Sequence, residues 1–146
     1  MRRLFGIVMV AAMTLGAAPA TYAADLVMGV RPADPGVCGH ERVLGKIVNR
    51  FRHQVANVPN LPQVDIVDFY GVRENRYEPQ HERSPIERQY CHATVALTDG
   101  VQGYNRDVWY LIETPMGFAG IGSNVEFCVS GFDRWLVYGG RCRVLR

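Results

Sequence analysis

The chain has 146 residues, with 16 Lys or Arg against 14 Asp or Glu and a formal net charge of +2. Arg2 and Arg3 belong to a segment that reads as a removable leader, and without residues 1–23 the formal charge falls to zero. That balance argues against a nucleic-acid partner, which calls for a net basic field to displace phosphate counterions.

The leader reading rests on layout. The two arginines precede an uncharged apolar run over 4–18, and small residues follow, with cuts expected after Ala20 or Ala23. This is the order of a cleaved export signal, and the run is short for a membrane span. No second run of that length follows, so no membrane span is expected in the mature chain, which should be periplasmic or secreted. Residues 24–146, about 120 in all, make one domain of ordinary size. Lys46 is the only lysine.

Residues 25–41 contain Pro32, Pro35 and Gly36 and read as an irregular lead-in. Over 43–58 the pattern changes. Val43, Leu44, Ile47, Val48, Phe51, Val55 and Val58 recur at steps of three and four, one face of an α-helix. Arg42, Lys46, Arg50 and His53 fall on another face, and Asn57, Pro59, Asn60 and Pro62 end the helix. Residues 64–72 then read as a first strand, in a pattern open to extension through Tyr77, and the polar stretch 78–85 as a loop. A long second strand over 86–97 places Cys91, Ala93, Val95 and Leu97 on one side. A connection through Gly103 and Arg106 leads to a third strand over 107–113. The glycine-rich loop 115–123 should tuck Phe118 and Ile121 against the core. A fourth strand follows over 124–130, then a short extended segment over 134–138 and a turn at Gly139 and Gly140.

One helix followed by four or five sequential strands, with no second helix to cross over, implies an antiparallel sheet. The expected fold is α+β, the helix lying across one sheet face. The order of elements resembles that of cystatin and nuclear-transport-factor-like domains, a fold analogy that implies nothing about activity.

Cys38, Cys91, Cys128 and Cys142 all fall in the exported part. An even count in an oxidising compartment points to two disulfides, for which three connectivities exist. The favoured pairing is Cys128 with Cys142, closing a short loop worth about 3 kcal/mol, and Cys38 with Cys91, pinning the helix entry to a central strand. The pairings 38–142 with 91–128 and 38–128 with 91–142 stay open. Cys38-Gly39-His40 and Cys91-His92 match no zinc finger or ribbon spacing, and no C-x-x-C supplies a redox site. No metal and no cofactor are expected.

The stretches NVPNLPQVDIVDFY, SPIERQYCHATVALTDG and VWYLIETPMGFAGIGSNVEFCVSGFDRW, with the closing CRVLR, are similar to small exported bacterial proteins whose sequence type has no assigned activity. The resemblance runs from about Cys38 to Cys142. It implies export and disulfides, and carries over no catalytic residue.

The glycines at 117, 120 and 122 read G-x-x-G-x-G, the reverse of the dinucleotide fingerprint, and a strand rather than a helix follows, so a hairpin loop is the better account. For acid–base chemistry the candidates are Asp65 with Asp68, Glu113 with Glu126, and His92. Asp65 and Asp68 differ by three and should point to opposite strand faces. Glu113 and Glu126 should face solvent, paired with Arg88 or Arg134. No serine sits in G-x-S-x-G.

Aromatic side chains are plentiful for a short sheet. Arg88, Tyr90, His92 and Tyr110 are expected on the face away from the helix, where they would suit a protein or cell-envelope partner. The competing account is that these rings pack there beneath arginine stems. The reading is therefore a non-enzymatic binding module, a monomer or weak oligomer, using that face or the 114–123 loop. The alternative is a small hydrolase or isomerase with His92, Asp68 or Glu113 inside a cavity between helix and sheet, and a dry aliphatic interlayer would count against it.

Overall fold

The computed structural model describes residues 36–116 and 121–146. The leader 1–23, most of the lead-in and Phe118 lie outside them. A short 3-10 turn, Gly36–Gly39, leads into helix α1, Glu41–Asn57. His40 caps the helix start, its Nδ1 accepting from the Arg42 amide at 3.2 Å. The predicted stripe is the buried one, with Val43, Ile47, Phe51 and Val55 all facing inward.

Four strands follow in sequence: β1 Asp65–Glu78, β2 Glu87–Thr98, β3 Gly103–Thr114 and β4 Asn124–Val129. They form one antiparallel sheet in the order β1-β2-β3-β4. The α+β architecture is as expected, and two boundaries differ. β3 starts at Gly103 rather than Asp107, because 103–106 pairs with 95–98 in unbroken register. The turn is correspondingly tight. Asp99 Oδ1 accepts from the Val101 and Gln102 amides at 2.8 and 2.7 Å, which lowers its carboxyl pKa.

Residues 134–138 form turns rather than a strand. The Asp133 carboxylate accepts from the Val137 and Tyr138 amides at 2.8 and 2.9 Å, and Leu136 adopts φ +56. Those bonds replace the ladder partners a strand would need.

The two sheet edges differ. β1 is long and irregular, with register shifts at three places, one of them spanning Gly71 at φ +59. Bulges and charges of this kind blunt a free edge. The β4 edge is sealed by α1: Lys46 Nζ donates to Ser123 O at 2.9 Å, and Arg50 donates to Val125 O. Gln54 Nε2 donates to Phe132 O just beyond the strand at 2.9 Å.

The main core lies between helix and sheet. Ile47 and Phe51 meet Cys91, Ala93, Val95, Val108, Ile112, Val125 and Val129 there. Phe51 packs edge-on against Phe132, with ring centroids 5.0 Å apart. Both favoured disulfides are present, Cys38–Cys91 with Cα atoms 5.8 Å apart and Cys128–Cys142 at 5.6 Å. The first belongs to this core. The second ties down the chain end, where Cys142 leads into a 3-10 turn, Arg143–Leu145, and Leu145 is buried. That end packs on the other sheet face, in a second cluster of Tyr90, Leu111, Cys128, Cys142 and Leu145. The sheet is thus covered on both sides, by the helix on one and by the disulfide-tied C-terminal segment on the other.

Candidate functional site

Arg88, Tyr90 and His92 alternate along β2 and share the face away from the helix. Tyr110 does not join them. It pairs with Cys91 in the ladder, is fully buried, and its hydroxyl donates to Cys38 O at 2.8 Å. Burial pushes that hydroxyl far above the usual tyrosine range. The expected four-residue face is therefore corrected to three, with Tyr110 in the helix-side core.

The remaining three are stacked rather than open. The Arg76 guanidinium lies 3.7 Å from the Tyr90 ring centroid. His92 is 6 % exposed and packs on Trp109 at 4.1 Å, while Arg146 lies 4.9 Å above that indole. His92 Nε2 meets Asp107 Oδ1 at 3.0 Å. Burial lowers the His92 pKa, and the nearby Arg73 and Arg146 add to this against the opposing pull of Asp107. Among the described residues, His92 Nδ1 and Trp109 Nε1 are buried without a hydrogen-bond partner. The rings lie beneath arginine stems, the competing account given above.

Arg88 Nε donates to Glu113 Oε1 at 3.1 Å, the expected pair, but Glu113 is buried rather than facing solvent. Asn124 also donates to it, at 3.4 Å. Asp65 pairs with Arg52 at 3.0 Å on the surface. The shift between Ile66 and Asp68 sets Asp65 and Asp68 opposite Thr98 and Ala96, so the spacing of three does not send them to opposite faces. The interlayer between helix and sheet is apolar. His92, Asp68 and Glu113, placed inside it by the alternative reading, all lie elsewhere. Ile121 is 80 % exposed, not tucked in.

The C-terminal loop that Cys128–Cys142 closes presents a different surface. Trp135, Leu136 and Val137 are 66 %, 64 % and 66 % exposed, and Val144 beyond the disulfide is 60 % exposed. These side chains are held by design of the backbone. Phe132 is buried against Phe51, and Asp133 fixes the Val137 and Tyr138 amides. Gly139 and Gly140 adopt φ +74 and +66, followed by Arg141 and Cys142 at +49 and +57. Leu136 and Val144 each pack against the glycine pair: Leu136 Cδ2 is 3.9 Å from where a Gly140 side chain would start, and Val144 Cγ2 3.4 Å from that of Gly139. A cleft of about 250 Å³ runs between α1 and the loop, with Arg50, Gln54, Phe132, Trp135, Val137 and Tyr138 in its lining.

Sequence reasoning missed this surface because the apolar run Trp135-Leu136-Val137 looked like strand. The available signal was its setting, an unalternating apolar triplet between Asp133 and a Gly-Gly pair inside a short cysteine loop.

Among the described residues no cluster of three or more His, Cys, Asp or Glu converges as metal ligands would, and no helix is long and apolar enough to cross a membrane. No family model matches the chain, and no curated protein or solved structure matches it.

Proposed function

We propose that this chain is an exported, non-enzymatic binding module that engages a protein or cell-envelope component through its C-terminal disulfide loop. The observation that carries the reading is the side-by-side exposure of Trp135, Leu136 and Val137 on a covalently closed loop. Apolar side chains brought together on a surface at such exposure mark interaction sites, and Trp is enriched among binding anchors. Preorganisation by the disulfide and by Asp133 reduces the ordering cost of binding. Two disulfides fit an oxidising, extracytoplasmic compartment, and the leader-like residues 1–23 supply the route to it. The non-enzymatic part is supported by the dispersal of the titratable candidates: His92 is stacked and covered, Glu113 is committed to Arg88, and Asp65 is committed to Arg52.

The test is capture from an envelope extract with the disulfides intact, comparing the wild-type chain with Trp135→Ala/Leu136→Ser. Protein or lipid retained by the wild type and lost from the variant is the expected result. Equal retention by both, or none by either, contradicts the reading.

A further inference from the structure

Resting on that reading, we propose that the component engaged is an anionic lipid surface, met by the Trp135-Leu136-Val137-Val144 patch and the arginines around it. Three observations point to lipid rather than to a folded protein.

The first is charge. Arg134, Arg141 and Arg143 flank the patch, are exposed, and take part in none of the ion pairs among the described residues. The acidic group nearest in sequence, Asp133, is turned inward onto two backbone amides. Three arginines against one aspartate leave the loop with an excess of positive charge, although the mature chain is formally neutral.

The second is the placement of that charge. Arg143 Nε donates to Gly139 O at 2.7 Å, which fastens its guanidinium beside the glycine pair against which Leu136 and Val144 pack. Arg141 and Arg143 line a shallow groove with Gly139 and Gly140. Guanidinium groups bind phosphate through forked hydrogen bonds, and here they stand close in sequence to the exposed apolar side chains, so headgroup and acyl contacts can be made from one loop.

The third is size. Four apolar side chains are a small part of the roughly 20–30 residues a side that a stable protein interface uses. They suffice for shallow insertion, where Trp settles at the membrane interface and basic residues supply the remaining attraction. The chain would lie on the membrane surface, with the loop as its point of entry.

The experiment uses the oxidised mature chain with vesicles of equimolar phosphatidylglycerol and phosphatidylcholine, and with vesicles of phosphatidylcholine alone. Co-sedimentation with the first kind only, weakened by added salt, is expected, together with a blue shift of tryptophan emission that Trp135→Phe abolishes. Arg141→Gln and Arg143→Gln should each cut partitioning about five-fold, and Trp135→Ala should cut it as well. All these side chains are exposed, and an unchanged melting curve verifies that each variant is folded. Equal binding to both vesicles, binding to neither, or binding that survives these substitutions overturns the proposal. Should the chain ignore both vesicles while Trp135-dependent capture of a protein from the extract persists, the lipid assignment falls and the binding-module reading stands.

Discussion

The two faces of the sheet carry one disulfide each and are covered in different ways. On the helix side Cys38–Cys91 joins a layer already filled by Val43, Ile47, Phe51 and Val55 against all four strands. On the other side few apolar side chains do the covering, chiefly Leu145 over Tyr90 and Leu111, and arginine stems complete it. A bond that adds to a filled layer and one that substitutes for a missing layer should respond differently to removal. The comparison teaches that the outer loop can keep Trp135 and its neighbours in solvent because a covalent tie, rather than their own burial, holds the segment.

The largest effect should come from the helix side. Phe51 is fully buried and touches the rings of Phe127 and Phe132, so Phe51→Ala should cost about 3–5 kcal/mol in chemical denaturation and loosen the whole domain. A loss below about 1 kcal/mol would deny that layer its role.

Next is the opposite side. The Cys128–Cys142 pair spans a sequence separation of 14, and Cys142→Ser should cost about 3 kcal/mol under oxidising conditions, read as a lowered melting temperature. An unchanged melting curve would remove the contrast between the faces.

The smallest effect is electrostatic and also belongs to the tail-covered face. The folded-state pKa of His92 lies below its ordinary value of 6.5 because burial penalises the charged ring. The unfolded chain therefore takes up the proton first as pH falls. Stability linked to His92 is fully present above about pH 6.5 and is lost as pH drops through the lower folded-state value. Urea denaturation across this range should show a pH slope that His92→Gln reduces. An identical slope in the variant would mean that the imidazole is as free to charge in the fold as outside it.

How much of this was legible in the sequence depended on which face a residue served. The α1 stripe and the alternation of Cys91, Ala93, Val95 and Leu97 are one-sided patterns, and both read correctly. The disulfide pairing was only favoured, Cys128–Cys142 by its short loop and Cys38–Cys91 by the helix entry meeting a central strand, with two other connectivities open until the fold decided. β3 did not read so simply. Val108, Tyr110 and Ile112 face the helix and Trp109 and Leu111 face the tail, so both parities are apolar and hydropathy alone does not say which side Tyr110 takes. Its parity with Val108 and Ile112 was the usable clue. Residues 103–106 look like a turn because Gly103 and Asn105 favour one, and only pairing with β2 makes them strand. The loop at 134–138 was misread because side-chain capping by Asp133 and the covalent tie override the local β pattern.

The central claim is that the Cys128–Cys142 bond, more than side-chain packing, holds the C-terminal segment over the second sheet face. Amide hydrogen exchange on the oxidised wild type and on Cys142→Ser tests it most directly. Exchange should rise across 130–146 in the variant, Leu145 included, while α1 and β2 keep their protection. A tail that stays protected without the bond, or a loss of protection spread evenly over both faces, would contradict the account.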